Sequence, residues 1–111
     1  MYDIVTVTVN YKMKEKIIEM LRSFFHDIEG STLNVQPVIV DNASGDGIEE
    51  ALKKEFGERV LFIDAGSNLG FGKGNNLALK KFEAKYYFIA NPDLVFLKEQ
   101  PKTIERLYQF M

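Results

Sequence analysis

The chain has 111 residues, of which 46% are hydrophobic, 13% aromatic and 27% charged, and its formal net charge is −2. These values are typical of one globular domain, and the near-neutral charge argues against nucleic-acid binding, which requires a basic face. There is no cysteine and one histidine, which excludes disulfide scaffolds, thiolate zinc sites, cysteine nucleophiles and histidine-cluster metal sites. The start lacks a secretion signal and no apolar run reaches the roughly 20 residues of a membrane span. We therefore expect a soluble, cytoplasmic domain with no membrane span.

Two hydrophobic periodicities alternate along the chain. The β-branched run Ile4–Val9 predicts a buried strand, and apolar residues at three- and four-residue steps from Met13 to Ile28 predict an amphipathic helix. The pair then repeats, with a short strand over 38–40 that follows Pro37, since proline is tolerated at the first residue of a strand, and a helix over 48–56 that Gly57 closes. Further strands are predicted over 60–63 and 86–90, a third helix is marked by Leu77, Ala78 and Phe82, and a last helix is predicted over 103–110.

This alternation predicts a single α/β domain of three layers, with a parallel sheet between helices on both faces. Right-handed crossovers leave few strand orders for four parallel strands. We predict the order 3-2-1-4, which makes strand 1 the neighbour of strand 4.

Short polar side chains follow each predicted strand: Asn10 and Tyr11, Asp41 and Asn42, Asp64, and Asn91 and Asp93. The carboxyl ends of parallel strands share one edge of a sheet, and ligands bind there at the crevice where the strand order reverses. For the order 3-2-1-4 the crevice lies between strands 1 and 4. The alternative is that these residues are only turn formers.

The segment 66–76 contains four glycines, which allow close approach of a backbone and place amide groups where an anion is favoured. It is not a Walker A loop, because Ser67 stands at the first glycine position and Gly74 replaces the hydroxyl residue. A dinucleotide fingerprint fails because Asn75 replaces its last glycine. The alternative is that the glycines serve only close packing of a helix on the sheet.

Two single residues are candidates for direct ligand contact. Asp93 follows a central strand, where one carboxylate suffices for Mg²⁺ or Mn²⁺ when substrate phosphates supply other oxygens. Tyr11 lies where strand 1 reaches the crevice, and its ring is suited to stacking on a nucleobase. The alternatives are a turn role for Asp93 and a core role for Tyr11.

Four motifs together resemble glycosyltransferase family 2 of the GT-A fold, a Rossmann-like fold, and most closely its branch of bacterial rhamnosyltransferases. They are the residues Asn10-Tyr11, the segment 40–47 (Val-Asp-Asn-Ala-Ser-Gly-Asp-Gly), the segment 68–76 and the tripeptide Asn91-Pro92-Asp93. The order of the motifs is that of the family, and they cover nearly the whole chain.

The resemblance implies a nucleotide-diphosphate sugar as ligand and inverting sugar transfer in cell-surface polysaccharide synthesis. Tyr11 would then lie against the base, Asp41 would accept its imide N–H, and Asp93 would hold Mg²⁺ or Mn²⁺. The implied nucleotide-binding residues are Asn10, Tyr11, Asp41, Asn68, Gly70, Gly74, Asn75 and Asn91. A carboxylate acceptor favours uracil or thymine over adenine, so we expect a UDP- or dTDP-sugar.

In the family the acceptor site and the general base follow the metal motif. We therefore expect residues 1–111 to be the N-terminal donor-binding half, a fragment or truncated product that is inactive alone and has no catalytic residue. We also expect homodimerisation through the sheet edge at strand 4. The competing hypotheses are a small α/β interaction module without a nucleotide ligand, and an ATP or dinucleotide binder.

Overall fold

A computed structural model describes residues 2–92 and Ile104. The strands are β1 (Tyr2–Asn10), β2 (Val35–Asp41), β3 (Leu61–Asp64) and β4 (Ala84–Ile89), and the α-helices are α1 (Lys14–Asp27), α2 (Ile48–Phe56) and α3 (Gly70–Lys81). A single 3-10 turn, Gly57–Arg59, follows α2. The predicted metal ligand Asp93 and the last predicted helix lie outside the described residues, apart from Ile104.

The four strands form one parallel sheet in the order β3-β2-β1-β4, as predicted. The chain moves outward from β1 to β2 and β3 and then returns to the other side of β1. The strand order therefore reverses between β1 and β4.

Helices cover the sheet on both faces, which confirms the three-layer α/β/α prediction. On one face, α1 and α2 bury Ile17, Leu21 and Leu52 against Ile39 of β2. On the other face, Ala78 of α3 packs against five buried valines of β1 and β2. They are Val5, Val7, Val9, Val38 and Val40. The β-branched composition of β1 and β2 reflects their burial between these layers.

Most strand boundaries differ from the sequence prediction by one to three residues, and two of the differences involve glycine and proline. Helix α3 begins at Gly70, so residues 70–76 of the glycine-rich segment form its first two turns instead of a separate turn before it. Packing against the sheet outweighs the low helix propensity of glycine here. Pro37 is the third residue of β2 rather than its first; it pairs with Thr6 of β1, and pairing with β3 begins only at Val38. The missing N–H thus lies where β2 has one neighbour.

Within residues 2–92, no helix is long and apolar enough to cross a membrane.

Candidate functional site

The carboxyl ends of β1, β2 and β3 bring three polar side chains side by side. Asn10 pairs in register with Asp41, and Asp41 pairs with Asp64. Residues paired in register on parallel strands point to the same face of a sheet. The predicted convergence of strand ends is therefore confirmed for these three strands, on the face covered by α1 and α2.

Asn10 is the centre of the hydrogen bonds at this edge, and its side chain is fully buried (0% exposed). Its Nδ2 lies 2.9 Å from Asp41 Oδ1, 3.1 Å from Ser44 Oγ and 3.2 Å from Asp46 Oδ2. Its Oδ1 accepts the N–H of Met13 at 3.0 Å. Asn10 therefore joins the ends of β1 and β2 and contributes no exposed surface of its own.

Tyr11 follows directly and is 45% exposed. The ammonium group of Lys12 lies 5.3 Å from the centre of the Tyr11 ring. Lys12 itself has φ of +59°, a left-handed conformation that is unfavourable for a residue with a side chain. The chain thus turns sharply after β1 and leaves the Tyr11 ring open to solvent, where it is available for stacking.

A cleft of about 210 Å³ lies beside Asp41, between the ends of β2 and β3 and the start of α2. Its lining is rich in carboxylates and glycines, and comprises Asp41, Gly45, Asp46, Gly47, Ile48, Glu49, Glu50, Phe62 and Asp64. Asp46 also accepts the N–H of Ile48, the first residue of α2, at 3.3 Å. This cleft, in the described part of the chain, favours a group that donates hydrogen bonds and repels an anion.

The other face of the sheet holds the candidate residues from the glycine-rich segment. Asn42 is buried, and its Nδ2 donates to the carbonyl of Gly70 at 3.2 Å. Asn68 Oδ1 accepts the N–H of the same Gly70 at 3.0 Å. The two asparagines together fix the start of α3 at the end of β2.

The glycines of the segment are needed for different reasons. A Cβ on Gly74 would lie 3.0 Å from Val9 Cγ2, so this glycine permits close packing of α3 on β1. Gly66 and Gly70 have φ of +77° and +80°, which other residues rarely adopt. Gly72 has neither requirement: it is exposed, and a Cβ there would meet nothing within 4 Å. Close packing of the helix on the sheet thus explains why residue 74 is glycine. Among the described residues, no contact explains why residue 72 is glycine.

Two carboxamide oxygens near this point are buried without a hydrogen-bond partner. They are Asn42 Oδ1 and Asn75 Oδ1. A Cβ on Gly74 would lie 3.4 Å from the Asn42 oxygen. Buried acceptors without donors are uncommon in folded proteins.

The described residues provide no metal-binding set. Asn91 follows β4 and is exposed, and Asp93 lies outside the described part. Within residues 2–92 no group of three or more His, Asp or Glu side chains is arranged to hold a metal ion.

Ser44 and Asp46 were not predicted as site residues, and Asn42 was predicted only as one of the polar residues at the strand ends. The sequence signal for them was present, since 41–47 is dense in Asp, Asn, Ser and Gly, but that composition is also typical of a turn that precedes a helix.

The sequence profile of the family described as "Glycosyl transferase family 2" matches residues 3–111. The chain belongs to glycosyl transferase family 2. The α/β fold with strand order 3-2-1-4 matches that of GT-A glycosyltransferases of known structure.

Several proteins are similar to this family 2 chain. It is 26% identical, over 96% of its length, to the low-salt glycan biosynthesis hexosyltransferase Agl10 of Haloferax volcanii. The structure of S. aureus TarS 1-349 in complex with UDP-GlcNAc superposes with a TM-score of 0.81 at 24% identity over 97% of this chain. The mannosyltransferase PcManGT of Pyrobaculum calidifontis, in complex with GDP-Man and Mn²⁺, superposes with a TM-score of 0.74 at 18% identity over 85%.

This family 2 chain spans about a third of the length of these relatives: 33% of Agl10, 30% of the TarS chain and 28% of PcManGT.

Proposed function

We propose that residues 1–111 bind a nucleotide-diphosphate sugar as the donor-binding part of an inverting glycosyltransferase of cell-surface polysaccharide synthesis, acting in the cytoplasm. The observation that carries the proposal is the placement of Asp41, an acceptor, in register with Asn10, the residue before exposed Tyr11, at the carboxyl ends of the parallel strands. Ligands of open α/β sheets bind at this position. Membership of family 2 and the nucleotide-sugar complexes of TarS and PcManGT support the same ligand class.

The base is proposed to lie against the Tyr11 ring with its imide N–H directed at Asp41. Asp41 is 9% exposed, and its oxygens already accept from Asn10 Nδ2 at 2.9 Å and from the Ser44 N–H at 3.4 Å. A carboxylate oxygen accepts more than one hydrogen bond, so a base N–H can be added. Uracil and thymine offer this N–H, which favours a UDP- or dTDP-sugar.

The diphosphate is proposed to lie away from the carboxylates of the cleft, at the start of α3. Backbone amides at a helix N-terminus attract anions, and exposed Gly72 leaves room for one to approach. Gly70, Asn75 and Asn91 are proposed to line this part of the pocket. Asn68, Gly74 and Asn10 are proposed to act indirectly, because Asn68 accepts the N–H of Gly70, Gly74 packs on β1 and Asn10 is buried.

Asp93 is proposed to hold Mg²⁺ or Mn²⁺ against the diphosphate. When bound, such an ion would offset the charge that develops on the leaving diphosphate. An inverting transfer also needs a base for the acceptor hydroxyl. We propose that this base is not among residues 1–111, which are then inactive alone.

Calorimetric titration of the 111-residue chain tests the proposal. UDP, dTDP, GDP and ATP are titrated separately, each with and without Mn²⁺, and dTDP-rhamnose and UDP-GlcNAc then test the sugar. The rhamnosyltransferase resemblance of the motifs leads us to propose dTDP-rhamnose as the tighter of the two. We expect UDP or dTDP to bind, with higher affinity when Mn²⁺ is present.

The matched control is Asp93→Asn, which should abolish the Mn²⁺ effect and retain binding without metal. Failure of all nucleoside diphosphates to bind would refute the proposal and favour the interaction module. Binding of ATP but not UDP would favour the third hypothesis, and tighter binding of GDP would refute the pyrimidine preference.

A further inference from the structure

Ser44 makes hydrogen bonds to both parts of the proposed base-binding region, the turn that follows Tyr11 and the carboxylate of Asp41. It is buried, and its Oγ accepts the N–H of Lys12 at 2.9 Å and lies 3.1 Å from Asn10 Nδ2. The same hydroxyl lies 3.4 Å from the carbonyl oxygen of Asn10, to which it can donate. The backbone N–H of Ser44 donates to Asp41 Oδ2 at 3.4 Å. One small residue thus contacts both the chain that carries Tyr11 and the carboxylate of Asp41.

The backbone on either side of these contacts is strained. Lys12, directly after Tyr11, has φ of +59°, and Ala43, directly before Ser44, has φ of +57°. Left-handed conformations of residues other than glycine persist only where surrounding contacts hold them, and they concentrate at functional sites. At Lys12 one holding contact is the hydrogen bond from its own N–H to Ser44 Oγ, and the Met13 N–H to Asn10 Oδ1 is a second.

We propose that Ser44 is a positioning residue for nucleotide binding, which holds the Lys12 turn so that the Tyr11 ring faces the base bound by Asp41. The inference rests on the function proposed above and adds a residue that the sequence motifs did not assign. Ser44 itself is buried and acts through Tyr11. When the Ser44 hydroxyl is removed, the Lys12 N–H loses its acceptor and the Tyr11 ring samples other orientations. Nucleotide binding must then order the ring, which lowers the affinity.

A double-mutant cycle that measures UDP affinity tests whether Ser44 acts through Tyr11. Ser44→Ala alone should weaken UDP binding about fivefold, the equivalent of one ordinary hydrogen bond. In the Tyr11→Ala background the same Ser44→Ala change should alter affinity by less than about twofold, because the ring through which Ser44 acts is absent.

Amide hydrogen exchange gives a second measurement that needs no ligand. In Ser44→Ala the Lys12 amide should exchange about fivefold faster or more, because its acceptor is removed. The matched control is Ser31→Ala, which removes a hydroxyl that accepts the Leu33 N–H at 3.2 Å near the opposite edge of the sheet. That control should leave both UDP affinity and Lys12 exchange unchanged.

Three results would overturn the inference. The first is wild-type UDP affinity in Ser44→Ala, the second is an equal loss in the wild-type and Tyr11→Ala backgrounds, and the third is unchanged exchange at Lys12. A wild-type chain that binds neither UDP nor dTDP refutes the proposed function, and with it the route through Tyr11. Binding by the wild type together with an uncoupled Ser44 refutes only the present inference.

Discussion

Asp41→Asn separates the binding role of this carboxylate from its structural role. The side chain is 9% exposed, with Oδ1 at 2.9 Å from Asn10 Nδ2 and Oδ2 at 3.4 Å from the Ser44 N–H. In the variant the remaining oxygen should keep the shorter contact with Asn10. The new amide group then faces the Ser44 N–H, donor against donor. The structural loss is therefore one long hydrogen bond, about 1 kcal/mol of unfolding free energy.

The loss in nucleotide binding should be larger. A hydrogen bond to a charged group contributes about 1.5–3 kcal/mol, which corresponds to about 10- to 150-fold in affinity. The proposed base N–H would lose this charged acceptor in Asp41→Asn. We expect calorimetry to show UDP affinity reduced at least about tenfold, while urea unfolding shows a cooperative transition with the modest loss given above.

Asp3→Asn is the matched control. Asp3 lies on β1, the strand next to the one that carries Asp41, and it also accepts a backbone N–H, that of Asn34, at 2.8 Å, but at the opposite end of the sheet. It should leave UDP affinity within about twofold of wild type. If Asp41→Asn binds UDP as tightly as this control, Asp41 does not bind the base and the assignment of the pocket is wrong.

Three further predictions concern packing, pH and assembly. Gly72→Ala should raise the free energy of unfolding by about 0.5–1 kcal/mol, because alanine has the higher helix propensity and its Cβ would meet nothing within 4 Å, and it should weaken UDP binding. Gly74→Ala should instead lower the free energy of unfolding by about 1 kcal/mol, because its Cβ would contact the buried Val9 of β1. Urea unfolding measures both variants, and a destabilised Gly72→Ala would contradict the prediction. Hydrogen bonding to Arg22 lowers the pKa of Glu55, so Glu55→Gln should lose less than about 1 kcal/mol at neutral pH, and the deficit should vanish as the pH falls through the lowered pKa; a deficit that persists in acid would refute it. Ile89, 41% exposed on β4, is proposed to take part in self-association, so Ile89→Lys should give a monomer by light scattering, and a wild type that is itself monomeric at high concentration would refute the dimer.

Strand and helix identity followed from local patterns, while some boundaries depended on tertiary contacts. The predicted helix 48–56 matches α2 at both ends, because Gly57 stops an amphipathic stripe. The start of α3 was missed because glycine has low helix propensity, and only its packing against Val9 makes Gly74 favourable there. Pro37 was placed at the first residue of β2 because the sequence does not reveal where β3 begins to pair.

For the candidate site, too, the strand-end positions could be predicted from the sequence and the long-range contacts could not. The strand-end positions of Asn10, Asp41 and Asp64 follow from topology, and once strand order was predicted their proximity followed as well. The role of Ser44 did not, because its partners Lys12 and Asn10 are more than thirty residues away in the chain, at a separation of 32 and 34 positions. Local sequence identifies a residue able to make such bonds and does not identify the partner.

The described residues near the strand ends offer mostly acceptors, and this imbalance bears on which part of a nucleotide sugar lies where. Asp41, Asp46 and Asp64 line the cleft on one face of the sheet. Acceptors of this kind are stabilised by a ligand that brings N–H or O–H groups, and they repel phosphate. A diphosphate placed among the carboxylates would be destabilised, whereas a base imide or a ribose hydroxyl would supply donors. In the proposed complex the acceptor-rich cleft suits the nucleoside and the amides at the start of α3 suit the diphosphate, so we predict that the ligand extends from Asp41 toward α3.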